Sequence, residues 1–359
     1  MSAEWFHELV SGRARGVRPT LARLGLAAAS GPYAAAVWVR NRLYDRGWKQ
    51  AHRAAVPVVS VGNLTLGGTG KTPCVEYLAR FYRERSVRVA VISRGYKGGG
   101  GRNDEAMVLE ENLPDVPHLQ GPDRVALAGT AVEELEVELL ILDDGFQHRR
   151  LTRDLDVVLL DATNPWGHGR HFPRGMLRES RWELRRAGAV VLTRCDQVPE
   201  CDVRSLESRA RKLAPGAPVV TTTHEPAEWI QHDAPSRPLA SLRGRPVGAF
   251  CGLGNPDAFR RTLRSIGCDP TDFRAYPDHH AYTREDVDFL RDWARRQPTD
   301  AVLATTQKDL VKLRTARIGE RDLLALRIGL RVRESADADR FHEQLAALTP
   351  AASPEDSSA

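Results

Sequence analysis

Beyond residue 55 short apolar runs alternate with amphipathic stretches, the pattern of β-α units wound on a parallel sheet. The apolar runs predict strands at Val56–Val61, Val87–Ser93, Glu138–Leu142, Val157–Asp161, Ala189–Thr193 and Val219–Thr222. Between them the pattern predicts helices over Lys71–Arg85, Arg124–Glu134, Arg181–Arg186 and Val203–Lys212. Residues 224–245, with Pro226, Pro235 and Pro238, read as a linker between two domains. A second set follows: strand Val247–Cys251, helix Asp257–Ile266, helix Arg284–Arg296, strand Ala301–Ala304, helix Lys308–Thr315 and strand Leu323–Ile328. The expected division is therefore an N-terminal segment (1–55), a first α/β domain (56–223), the linker, a smaller α/β domain (246–348) and a disordered tail (349–359).

The first 55 residues follow another pattern. They hold nine Lys or Arg residues against three acids, while the whole chain carries a net charge of +5, so the remainder is close to neutral. A basic end on a neutral body points to an anionic neighbour. The uncharged run Leu24–Val39 is shorter than the roughly 20 residues of a membrane span and is interrupted by Gly31-Pro32. Arginines at both ends, with Tyr33, Trp38 and Trp48, fit an interfacial segment lying on a bilayer. A helix packed on its own domain fits equally well. A cleaved export signal is set aside, because the next motif requires cytosolic nucleotide.

Hydrophobic content of 42% and charged content of 28% are those of a soluble globular protein, which excludes a disordered or fibrous chain. The five cysteines, odd in number and without a C-x-x-C pair, predict reduced thiols rather than a disulfide framework or zinc site.

Candidate chemistry begins at Val58–Thr72, which reads as strand, glycine-rich turn and helix. In Gly67-Gly68-Thr69-Gly70-Lys71-Thr72 the glycines let backbone N–H groups face phosphate oxygens at a helix N-terminus. Lys71 would reach the β- and γ-phosphates, and the Thr72 hydroxyl would coordinate Mg²⁺. The first glycine of the general motif is replaced by Thr65. The apolar strand before Asp143 and Asp144 ends in two acids where α/β sheets bind ligands, so these carboxylates are candidates for the metal side. Asp161 ends a similar strand without a second acid and reads as structural.

Other motifs are less specific. Thr193-Arg194-Cys195-Asp196 is a distant match to a guanine-reading motif and gives no base specificity. Gly252-Leu253-Gly254 reads as a turn into a helix, since a lone G-x-G is no dinucleotide site. The loop 164–179 is rich in Gly, Pro, His and Arg. It is either a solvated basic loop or one that brings guanidinium groups to a phosphoryl group. Asp278-His279-His280 poses a similar choice between proton transfer and an ordinary polar loop.

Taken together, GNLTLGGTGKTP (62–73), SRGYKG (93–98), GPDR (121–124), LDDGFQHR (142–149), PRGMLRE (173–179), LTRCD (192–196), FCGLGNPDAF (250–259), PDHHAYT (277–283) and TTQKDLVKL (305–313) resemble the tetraacyldisaccharide 4′-kinase family, the lipid A kinases of Gram-negative bacteria. The resemblance runs in order from about residue 20 to about 330. It implies two P-loop-like (RecA-like) α/β/α domains with mainly parallel sheets, only the first with a P-loop, the active site between them, and an N-terminal segment on the cytoplasmic face of the inner membrane. It implies ATP and Mg²⁺ as cofactors and a lipid acceptor, the tetraacyldisaccharide 1-phosphate, phosphorylated on its 4′-hydroxyl to lipid IVA. A monomer without a nucleic-acid partner is expected.

Carried over by position, Gly67, Gly68, Thr69, Gly70, Lys71, Thr72, Gln147 and His148 bind the nucleotide, and Thr72, Asp143 and Asp144 hold the metal. Arg178 contacts the transferring phosphate. The family's G-D-E-P acid falls at Asp104, within Asn103-Asp104-Glu105-Ala106, where both flanks depart from the pattern. Its histidine partner falls at His279 rather than His280, because His279 directly follows Asp278. Two rivals remain: a P-loop kinase of a soluble acceptor, and a membrane ATPase switch, against which Leu66 stands where such switches carry a signature lysine.

Overall fold

A computed structural model describes residues 3–95, 104–278 and 280–350. The chain forms two compact units, each discontinuous in sequence. The first comprises Met1–Gly95, Asp115–Thr223 and Leu330–Ala359, and the second Tyr96–Pro114 and His224–Gly329.

The first unit opens with α1 (Ala3–Ser11) and α2 (Val17–Asp45). It continues through β1 (Val58–Asn63), α3 (Lys71–Arg83) and β2 (Val89–Ser93); α4 (Asp104–Asn112) belongs to the second unit. Then come β3 (His118–Gln120), α5 (Arg124–Leu135), β4 (Leu139–Asp143), β5 (Leu155–Asp161), β6 (Ala189–Thr193), α6 (Glu200–Leu213) and the start of β7 (Val219–Gln231). The strand order is β7-β6-β5-β1-β4-β2-β3, and every pair is parallel. β1, β4 and β6 are buried at every position, which is why they read as unbroken apolar runs. β1 lies centrally, so the turn after Asn63 emerges at the carboxyl edge between the ends of β4 and β5. Arg181–Arg186 is a 3₁₀ turn over the span expected to be helical.

The second unit takes the rest of β7, β8 (Ala234–Arg237), β9 (Val247–Gly252), α7 (Pro256–Ser265), β10 (Pro270–Tyr276), α8 (Arg284–Arg295), β11 (Val302–Thr306), α9 (Gln307–Leu313), β12 (Arg317–Ile318) and most of β13 (Arg321–Val332). β10, β9, β11 and β13 are parallel neighbours in that order, β12 is antiparallel to β13, and β8 is antiparallel to the end of β7. A final helix, α10 (Ala336–Ala346), returns to the first unit, where the Tyr82 hydroxyl donates to Leu345 O at 3.1 Å.

Two expectations need correction. Residues 224–245 are not an irregular linker: β7 continues to Gln231 and turns into β8. The polar residues taken for loop have strand partners, as Glu228 does in Arg327 of β13 at 2.9 Å. The helix α2 is not broken at Gly31-Pro32 but runs through Pro32. An internal proline costs roughly 3 kcal/mol, and tertiary docking offsets that cost. Ser30 Oγ donates to His171 O (3.0 Å) and accepts from Arg174 N (2.9 Å), and the Tyr33 hydroxyl donates to Arg178 O (3.1 Å).

The cysteines are all free. Burial pushes the Cys74 thiol up to about 12 and the Cys195 thiol up to about 11, so neither is reactive at neutral pH. No helix among the described residues is long and apolar enough to cross a membrane.

Candidate active site

The turn between β1 and α3 is shaped by two glycines with left-handed backbone, Gly67 (φ 103°) and Gly70 (φ 86°). Gly70 is the N-cap of α3 and has no side chain to satisfy the first-turn N–H groups. Those donors and the helix dipole leave an electropositive cradle that suits phosphate oxygens. Thr65 departs from the general motif without strain. It is buried and bridges antiparallel to Leu177, an extended position that suits a β-branched residue. Leu66 N and Arg178 N complete this pairing by donating to Met176 O and Leu64 O, each at 2.7 Å. The glycine-rich loop 164–179 is therefore packed on the cradle. Thr69 O accepts from the Thr193 hydroxyl at 2.9 Å, which ties the turn to the end of β6.

The strand end at β4 is pressed equally closely. A Cβ on Gly62 would lie 2.5 Å from Phe146 Cβ, and one on Gly145 would lie 2.5 Å from Ser60 Oγ. Only glycine at both places lets the Asp143–Gln147 turn fold against β1. Asp143 is buried at the tip of β4, while Asp144 adopts a left-handed backbone (φ 51°) as the chain turns after the strand.

Asp144 is the centre of the cluster. Its oxygens accept from Arg178 Nη1 at 2.7 and 2.8 Å, and Lys71 Nζ lies 3.6 Å from Oδ1. The same Arg178 nitrogen donates to Gln147 Oε1 at 3.3 Å, and Gln147 Nε2 donates to Asn63 O at 2.9 Å. Arg124 Nη1 donates to the Asp144 carbonyl at 3.1 Å. Burial pushes the Asp144 carboxyl up, but Lys71, Arg178 and Arg124 together hold it below its usual range. Lys71, Asp144, Gln147 and Arg178, named separately from sequence, are thus brought together, Arg178 by hydrogen bonds and Lys71 by an ion pair with Asp144.

His148 is placed differently. Burial, then Arg124, Arg153 and Arg150, push its imidazole down to about 4, so it is neutral at pH 7. The unfolded chain takes up a proton below about 6.5 where the folded one does not. Stability is therefore expected to fall as pH drops from about 6.5 to about 4, and His148→Asn should flatten that part of a urea-midpoint profile. A slope unchanged by the substitution would show that other groups set it.

In the second unit Asp104 is the first residue of α4, and its carboxylate lies 2.7 Å from Lys312 Nζ on α9. Lys312 also donates to His280 O at 3.1 Å. The His280 ring is already engaged: Nε2 pairs with Asp286 Oδ2 at 3.0 Å, within the capping box of α8, and the ring stacks on Tyr276. His279 lies outside the described residues. Sequence reasoning left Lys312 and Arg124 without roles, although both stand in quoted motifs, because their partners are distant in the chain.

The remaining motifs are structural. Arg194 pairs with Asp161, whose Oδ1 also accepts from Thr163 N (3.0 Å) and Thr163 Oγ1 (2.7 Å). Gly252 N donates to the buried Asp309 at 3.0 Å, and Asn255 caps α7, so the G-x-G is a turn into a helix.

A parallel sheet whose central strand feeds an uncapped helix N-terminus, with a lysine beside an acidic neighbouring strand end, defines the P-loop phosphotransferase class. The family model for tetraacyldisaccharide-1-P 4′-kinase matches residues 22–349. Among curated relatives, the tetraacyldisaccharide 4′-kinase of Anaeromyxobacter sp. (strain Fw109-5) is 42% identical over 342 residues, covering 90% of each chain. That of Syntrophus aciditrophicus is 38% identical over 307 residues, covering 78% of this chain and 82% of the relative. The crystal structure of the "apo" form of LpxK from Aquifex aeolicus in complex with ATP superposes with a TM-score of 0.74 at 31% identity, covering 91% of this chain and 99% of that one. The chain belongs to the tetraacyldisaccharide 4′-kinase family.

Proposed function

We propose that this protein transfers the γ-phosphoryl group of ATP to the 4′-hydroxyl of tetraacyldisaccharide 1-phosphate, giving lipid IVA, as a monomer at the cytoplasmic face of the inner membrane. The Lys71–Asp144–Arg178 cluster beside the uncapped N-terminus of α3, in a chain of this family, carries the reading. The N–H groups of Gly67–Gly70 and the ammonium of Lys71 hold the phosphates. Arg178 faces the transferring group, with Gln147 orienting its guanidinium. The Asp144 carboxylate pre-positions both cations before nucleotide arrives. His148, kept neutral, adds no charge near the nucleotide.

The donor set fits Mg²⁺. Thr72 on the first turn of α3 and the carboxylates of Asp143 and Asp144 are hard oxygen donors, and Mg²⁺ needs only one or two carboxylates when phosphates complete its shell. Bound there, Mg²⁺ would neutralise developing phosphate charge. The acceptor hydroxyl oxygen forms its new bond to the γ-phosphorus as the bond to the β–γ bridging oxygen breaks. The hydroxyl proton passes to Asp104, with His279 as its partner, and ADP leaves.

The N-terminal helices supply the lipid side. Trp5, Val17, Leu21, Leu24, Trp38, Val39 and Trp48 are exposed, and Arg13, Arg15 and Arg18 are exposed beside them. Aromatic and aliphatic groups next to arginines fit an anionic bilayer surface.

The test supplies γ-labelled ATP and tetraacyldisaccharide 1-phosphate in detergent micelles. Label in the lipid, dependent on Lys71, is the expected result. ATP hydrolysis without lipid labelling would overturn the proposal in favour of an ATPase switch.

A further inference from the structure

Within the second unit, α9 lies against α4 through polar contacts that pair residue by residue. Gln307 Nε2 donates to Glu111 Oε2 (3.0 Å) and Asn112 Oδ1 (2.7 Å), Lys308 Nζ lies 2.6 Å from Glu105 Oε1, and Lys312 Nζ lies 2.7 Å from Asp104 Oδ2. Lys308 and Lys312 are four residues apart and share one helix face. The platform is rigid, because the fully buried Asp309 accepts from the Thr306 hydroxyl (2.6 Å) and Gly252 N (3.0 Å).

Lys312 differs from Lys308 in two respects. Its target is the proposed base, and its ammonium also donates to His280 O at 3.1 Å, so one charge joins Asp104 to the loop bearing the proposed partner histidine. The pair is well shielded, with side-chain exposures of 12% for Lys312 and 18% for Asp104. Screening is weak there, so the ion pair is stronger than one at the surface would be.

We infer that Lys312 is the positioning residue of the phosphoryl-acceptor site: its ammonium, bonded at once to Asp104 and to His280 O, fixes that carboxylate relative to His280. The inference rests on Asp104 being the base. Fixing the direction of its carboxylate matters, since small misplacements in general-base geometry cost on the order of 100-fold.

The test compares Lys312→Met, Lys312→Arg, Lys308→Met and Asp104→Asn in the full-length protein, with kcat and KM for ATP measured in detergent with the lipid acceptor. For Lys312→Met, kcat at pH 7 is expected to fall by about 10- to 100-fold with KM for ATP little changed. Lys312→Arg should recover most of kcat. Lys308→Met removes a neighbouring ion pair of the same helix interface and should leave kcat in place. A wild-type kcat in Lys312→Met, a parallel loss of kcat and ATP affinity, or an equal fall in Lys308→Met, would overturn the role of Lys312. The reading of Asp104 as base fails separately, if Asp104→Asn keeps wild-type kcat.

Discussion

Turnover of the Asp104→Asn variant is expected to fall by roughly 10²- to 10⁴-fold, the usual contribution of a general base, with KM for ATP almost unchanged. Asparagine keeps the shape of the side chain, and its amide oxygen can still accept from Lys312, which lies 2.7 Å from the carboxylate. In the proposed mechanism, what disappears is the capacity to take the proton of the attacking hydroxyl. The proposed nucleotide site is made of other groups, the cradle of Gly67–Gly70 and the cluster of Lys71, Gln147 and Arg178. Steady-state kinetics with varied ATP at saturating lipid separates the two effects. A parallel loss of kcat and ATP affinity would assign Asp104 to nucleotide binding and not to proton transfer.

Glu179→Ala is expected to lower stability by about 3 kcal/mol. Glu179 is fully buried, one oxygen accepting from Arg40 (2.5 Å) and Asn41 Nδ2 (3.3 Å), the other pairing with Arg186. Removing it leaves Arg40 without that carboxylate, while Arg186 retains Glu183 at 3.0 Å and its stack on Phe146. Breaking a buried pair from one side costs more than the pair contributes, because the remaining charge stays desolvated. Arg40 keeps some contact with solvent, which places the expected value at the lower end of the range. Urea unfolding provides the measurement. A change below about 1 kcal/mol would mean that both guanidiniums find water.

Strands of the first sheet were legible because a parallel sheet covered on both faces demands unbroken apolar runs, and Ala189–Thr193 is matched residue for residue. The P-loop was legible because its chemistry is local. Positions further along failed for identifiable reasons. β10 is half exposed, so its sequence PTDFRAY lacks the apolar run that marked the others. The second half of β7 carries a proline and two glutamates, and Glu228 finds its partner, Arg327, about a hundred residues away. Continuity of α2 through Pro32 depends on contacts with residues 171–179, which no local rule contains. The interleaving of the two units is invisible for the same reason: α4 and α10 each leave their neighbours in sequence for a different unit. In the site, Arg178 and Gln147 were named from resemblance, but their convergence on Asp144 is a property of the fold. Lys312 was passed over because α9 offers two lysines, Lys308 and Lys312, and nothing nearby distinguishes the one that meets Asp104.

The docking of α2 has a practical and evolutionary consequence. Residues Ser30, Tyr33, Arg40 and Asn41 support the backbone and side chains of 171–179, the stretch that delivers Arg178 to Asp144. A shortened chain starting near residue 50, made to obtain a detergent-free preparation, would remove the floor beneath that arginine along with the greasy surface. The exposed apolar surface of the N-terminal helices and the support of the phosphate site are cut from the same piece of polypeptide, so removing the one disturbs the other.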